Sequence, residues 1–203
     1  MKAHYLLGLV LLASCGHKQQ ETPAEIPTPA EVLIARLQTV TDSGKYIFGH
    51  ADDTAYGRTW AYESGRSDVK ETVGDYPGLI NWDLGMIELD SAKNLDGVPF
   101  DYMAAEIAAQ NARGGINSIS WHLRNPVTGG DAWDVSEATT VAQCEADSSA
   151  YRQILTEWIG KTADFIGKSI SEYGIFVRIG FHSGEIFRIG VHRIFPRYSE
   201  KSS

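Results

Sequence analysis

GGINSISWH, residues 114–122, is the stretch whose reading decides the fold. Gly114-Gly115 stops whatever comes before it. Ile116 to Trp121 is a short β-type run, and His122 stands where the run ends. Upstream, Phe100 to Arg113 spaces Tyr102, Met103 and Ile107 as one face of a helix, with Ala108 beside them. Downstream, Asp147 to Ile170 repeats Tyr151, Leu155, Trp158, Thr162, Phe165 and Ser169 at three- and four-residue steps, flanked by Ile154, Ile159 and Ile166. A strand between two helices is therefore the unit, and the rest of the chain is searched for more of them.

Three further β runs appear. Tyr46-Ile47-Phe48 ends in Gly49-His50, Leu79-Ile80-Asn81-Trp82 ends in Asp83, and the weaker Ile175 to Phe181 ends in His182. Ala30 to Val40 has helical spacing at Val32, Leu33, Leu37 and Val40 before Gly44. Ser67 to Val73 is a short helix with Ser67 as its N-cap. Apolar strands alternating with helices predict a parallel sheet covered by helices. His50, Asp83 and His122 each follow a β run directly. That position is the C-terminal face of a (β/α)8 barrel, or the crevice of an open doubly wound sheet, and in both the three side chains converge. One such residue reads as a strand cap meeting water; three in succession read as a site.

The segment after the third run adds to it. Trp121 and Trp133 offer flat apolar faces suited to a pyranose, while His122, Asn125 and Asp131 offer directed hydrogen bonds. Trp121 has an equal claim as a filler of the interior. Gly129-Gly130 reads as a turn. His50 with Asp52 or Asp53, joined by His122 and His182, is a weak metal pattern that matches no ligand spacing, so no metal and no cofactor is assigned. No GxSxG elbow, P-loop or GxGxxG occurs. Glu145 and Asp147 beside Cys144 raise a thiol pKa, against a catalytic cysteine.

Composition bounds the classes. The 203 residues carry a net charge of −8, with 43% hydrophobic and 22% charged residues. That excludes wholesale disorder and collagen-like or coiled-coil character, and an acidic chain is a poor nucleic-acid ligand. At the N-terminus Lys2 precedes an apolar run, Tyr5 to Leu12, too short to span a bilayer. Leu12-Ala13-Ser14-Cys15 resembles a bacterial lipobox, with Cys15 as the lipidated residue. The expected organisation is a signal peptide over 1–15, a Pro-rich tether over 16–29 and a folded part from Ala30 onward. The lipid bilayer is then one partner, and the location is the outer membrane, on its periplasmic or cell-surface side.

Lys45-Tyr46-Ile47-Phe48-Gly49-His50-Ala51-Asp52-Asp53 with Tyr56-Gly57, then Gly114-Gly115-Ile116, then Ser120-Trp121-His122 with Asn125-Pro126, then Thr128-Gly129-Gly130-Asp131-Ala132-Trp133-Asp134 resemble glycoside hydrolase family 26. The members most like it are lipoprotein β-mannanases of gut Bacteroidetes. The resemblance covers about residues 30–173. It implies a (β/α)8 TIM barrel of which only about the first four βα units are present. It also implies retaining, endo-acting cleavage of β-1,4-mannan, and contact of His122 with the sugar beside the scissile bond. The substrate-binding set is then His50, Asp83, Trp121, His122, Asn125 and Trp133, and the substrate partner is β-mannan or a mannooligosaccharide.

Retention needs two carboxyl groups, in the family both glutamates, after the fourth and seventh strands. In Val177-Arg178-Ile179-Gly180-Phe181-His182-Ser183-Gly184-Glu185, Phe181-His182 matches the aromatic-His pair that precedes the acid, and Ser183 takes the acid's place. A serine does not protonate a leaving oxygen usefully. Glu185, two residues on, is the remaining acid/base candidate, and no residue matches the nucleophile. Residues 174–203 carry net +3 after a stretch of net −11, and Arg178-Ile179-Gly180-Phe181-His182 nearly recurs as Arg188-Ile189-Gly190-Val191-His192. The expectation is a divergent, frameshifted tail and a truncated, inactive copy of the enzyme. The alternatives are a non-catalytic surface glycan-binding lipoprotein and a metal-dependent carbohydrate hydrolase or deacetylase using His50 and Asp52.

Overall fold

The structure, a computed structural model, describes residues 26–146, 148–170 and 176–179. The lipobox Cys15, most of the tether, His182, Ser183, Glu185 and the basic tail lie outside the described residues. The first helix, α1 (Pro29–Asp42), opens with a capping box: the Thr28 hydroxyl accepts from Glu31 N–H, and the Glu31 carboxylate accepts from Thr28 N–H. Then follow β1 (Gly49–Ala51), α2 (Asp68–Val73), β2 (Leu79–Asp83), α3 (Phe100–Ala112), β3 (Ile116–Trp121), α4 (Thr140–Glu145), α5 (Ala150–Ile170) and β4 (Phe176–Ile179). Ser67 caps α2 by accepting from Lys70 N–H.

The four strands pair in parallel in the order β1-β2-β3-β4. Each crossover lands on the next neighbour and the order never reverses. A doubly wound sheet reverses at its switch point; a barrel wall does not, so the sheet is an arc of (β/α) barrel type.

Strand alternation divides the sheet into two faces. Ile80, Trp82, Ile119 and Trp121 are buried with Met103 and Ile107 of α3, and Leu155, Trp158, Ile159, Phe165 and Ile166 of α5 pack on them. Trp82 donates its indole N–H to Asn117, which donates in turn to Ile107 O, so the polar atoms in this layer are matched. The other face is polar, unlike the fully apolar strands expected. Ser118 donates to Asn81, Asn81 to Ser120, and Ser120 to Asp83, a ladder climbing to the C-terminal end of β3.

Two elements differ from the sequence pattern. β1 is Gly49–Ala51, not Tyr46–Phe48, and Tyr46 and Phe48 are exposed. Pairing is set by backbone approach and not by the residues most fond of strands: a Cβ at Gly49 would lie 3.0 Å from Leu79 Cδ2. The short α4 lies in a polar run without a readable period. Its buried residue is Cys144, whose thiol pKa is raised by burial first and by Glu145 second.

Candidate functional site

Asp83 and His122 follow the alternation of β2 and β3 to the same end of the sheet. There His122 Nδ1 lies 2.6 Å from Asp83 Oδ2. Asp83 is buried and also accepts from Ser120 Oγ at 2.6 Å and from Gly85 N–H at 2.7 Å. A carboxylate acceptor fixes the tautomer with the proton on Nδ1, leaving Nε2 as an acceptor. Half of the His122 side chain is exposed, so Nε2 is open to a ligand hydroxyl.

Trp133 is 59% exposed and stacks beside His122, with centroids 6.2 Å apart and planes 20° from parallel. Together they form a flat wall with a polar edge. The loop that carries Trp133 is held by its own hydrogen bonds. Asn125 donates to Asp134 O and Thr140 Oγ1, and accepts from the N–H groups of Val127 and Thr128. Asp134 accepts from Thr128 Oγ1 and from Ser136 N–H; hydrogen bonds from Ser136 and Thr128 hold its pKa down to about 2. Gly130 is required where it stands, because a Cβ there would run into the Asp134 carboxylate. Gly129, at φ +73°, supplies the left-handed turn.

The six residues expected to bind substrate thus divide. Asp83, His122 and Trp133 come together. Asn125 lies beside them, buried, with both ends of its amide engaged within the loop. Trp121 is 1% exposed and sits in the layer under α3 and α5; of its two readings, interior filler is the one the fold takes, because it shares strand parity with Ile119. His50 does not follow β1 but is its middle residue, in register with Ile80 and so on the face opposite Asp83; it is half-exposed, with Nδ1 3.7 Å from Asp53 Oδ1, and does not join the expected convergence. Among the described residues no group of three His, Cys, Asp or Glu side chains is placed to hold a metal ion, and His182 of the metal pattern lies outside them.

Glu88 is a part that pattern reading missed. It is buried, accepts from Trp121 Nε1 at 3.1 Å and from Arg124 N–H at 2.9 Å, and so ties the end of β3 to the short 3-10 turn Ile87–Leu89. Lys161 of α5 locks the same turn through Glu88 O and Asp90. The available signal was a lone acid in the apolar run Met86-Ile87-Glu88-Leu89. A shallow depression of about 400 Å³ lined by Glu63, Arg66 and Lys70 lies elsewhere. Arg66 there already bonds Glu63 and Glu71.

No family model matches the chain. Solved structures do. A family 26 β-mannanase from Bacteroides ovatus is 43% identical over 75% of this chain, with a TM-score of 0.66. A double mutant of an endo-β-1,4-mannanase from Cellulomonas fimi is 26% identical over 74%, with a TM-score of 0.59. The catalytic domain of a family 26 endo-β-1,4-mannanase from Bacillus sp. JAMB-750 is 25% identical over 75%, with a TM-score of 0.60. The match spans 45%, 34% and 41% of those chains, less than half of each.

Proposed function

Since the chain belongs to glycoside hydrolase family 26, of which it carries a partial domain, we propose that the Asp83–His122–Trp133 cleft binds β-1,4-linked mannan in the manner of an endo-acting, retaining mannan hydrolase. The observation that carries this reading is the His122 ring, oriented by a buried carboxylate and aligned with an exposed indole. Trp133 would cover the apolar face of a mannose ring, and His122 Nε2 would accept from a hydroxyl of the same sugar. We propose further that the 203-residue polypeptide binds mannan without cleaving it. The support is the family resemblance, which implies that Ser183 stands where the family carries its general acid, with Glu185 two residues on.

Calorimetric titration with mannohexaose and a reducing-sugar assay on galactomannan test both halves together. Binding without product release is expected, and binding should vanish in His122→Ala. Absence of binding by a folded preparation would sink the first half; release of reducing ends would sink the second. We also propose that Cys15 carries a lipid that holds the protein at the outer membrane. Incorporation of labelled palmitate, lost in Cys15→Ala, is the expected result, and label retained by that variant would refute it.

A further inference from the structure

The end of β1 is built differently from anything else among the described residues. Asp52 sits there at φ +49°, in the left-handed region, and is 3% exposed. Asp53 and Thr54 are each 1% exposed. Asp52 Oδ1, both carboxylate oxygens of Asp53 and Thr54 Oγ1 are buried without a hydrogen-bond partner. Four unpartnered oxygens on three consecutive residues are expensive, and far more so if the carboxyls are charged.

The surroundings of Asp52 act on it in both directions, with burial and like charge prevailing. Tyr56 of its own loop donates to Oδ2 at 3.4 Å. Asp96, from the turn between β2 and α3, and Asp83, from the end of β2, oppose its ionisation, while His50 of β1 favours it weakly. Burial first, then Asp96, pushes its pKa up to about 7. Tyr56 is itself pushed up to about 12, chiefly by burial and by Asp52, so it donates throughout the working range.

The segments on either side of these acids are fastened together. Tyr62 donates to Gly97 O at 2.7 Å, and Tyr102 donates to Thr54 O at 2.9 Å. Asn94 donates to Asp83 O and accepts from the N–H groups of Asp96 and Val98, so the Asp96 turn hangs from the residue that orients His122.

We propose that segment 52–62 and the Asp96 turn form a proton-operated clasp beside the cleft, closed while Asp52 is a neutral acid and loosened when it becomes a carboxylate facing Asp96 and Asp83. The clasp is a positioning device: it acts on the cleft through Asp83, and it does not depend on which ligand the cleft takes. The sign follows from linkage. The closed state holds its proton to higher pH than the opened state, where the carboxyl titrates near 4. The stability due to the clasp is therefore fully present below about pH 4 and is lost as pH rises to about 7.

Amide hydrogen exchange between pH 4 and 8, corrected for intrinsic rates, tests the clasp without any saccharide. In the wild type the opening constant of amides in 54–62 should rise by up to about ten-fold per pH unit and level off above about 7, relative to α3. Asp52→Asn, which cannot ionise, should abolish the rise. Asp96→Asn removes a like charge at an exposed position, so the levelling-off should move to lower pH. Asp96→Asn keeps the test intact if Asp52→Asn fails to fold. A rise shared equally by α3, a rise that survives in Asp52→Asn, or a levelling-off unmoved in Asp96→Asn would each overturn the proposal.

Discussion

The loop after β3 and the loop after β1 leave the same end of the sheet, yet they treat buried polar atoms in opposite ways. After β3, Asn125 bonds through both ends of its amide, and its neighbours Asp83, at the end of β2, and Glu88, in the turn after β2, find donors as well. After β1, Asp52 Oδ1, Asp53 and Thr54 Oγ1 find none. A fully bonded polar network is rigid, and a partly bonded one is where small changes of charge have large effects. The first loop suits a fixed wall for a ligand; the second suits a part that responds to its surroundings.

Substitutions can break or sharpen that contrast. Asn125→Ala should have the largest effect, because it strands two loop N–H groups and two acceptors at once. A loss of about 3 kcal/mol in urea unfolding is expected, together with loss of mannohexaose binding. Asp83→Asn should cost about 2 kcal/mol, since an amide N–H₂ replaces an acceptor wanted by Ser120 and His122 or by Gly85. Trp133→Ala should leave stability within about 0.5 kcal/mol and weaken mannohexaose about ten-fold, read by calorimetry, because the indole is exposed. Asp53→Asn should be the smallest change, neutral or slightly stabilising in thermal unfolding, because it removes a buried carboxylate that accepts no hydrogen bond and has only the half-exposed His50 ring 3.7 Å away. If Asp53→Asn proves as damaging as Asn125→Ala, the two loops are alike and the contrast is void.

Much of this was legible before any coordinates. The apolar spacing of 100–113 and 147–170 gave helices that the structure begins or ends within a few residues of those positions. The runs ending in Asp83 and His122 became β2 and β3 as written. These signals are strong because they come from faces that must be buried, and burial repeats with the period of the element. The run at Tyr46–Phe48 misled because an edge strand has little to bury, so propensity had no face to act on. Trp121 and Trp133 are the same residue type twelve positions apart and end in opposite surroundings. Parity with Ile119 could have assigned Trp121 to the interior, whereas nothing local announces that Trp133 stays open. Asn125 is polar and close to His122, which made it look like a ligand group. Its amide is spent on the loop, and only the path of the loop reveals that.

The order of elements, the parallel sheet and the place of Asp83 and His122 at strand ends were settled by the sequence, because each is a matter of spacing along one chain. Tertiary structure decided which polar groups have partners. Hydrogen bonding depends on atoms tens of residues apart arriving within about 3 Å of each other. That is why Asp83 became the holder of His122 while Asp53 and Asp52 Oδ1, just as buried, were left without a hydrogen-bond partner.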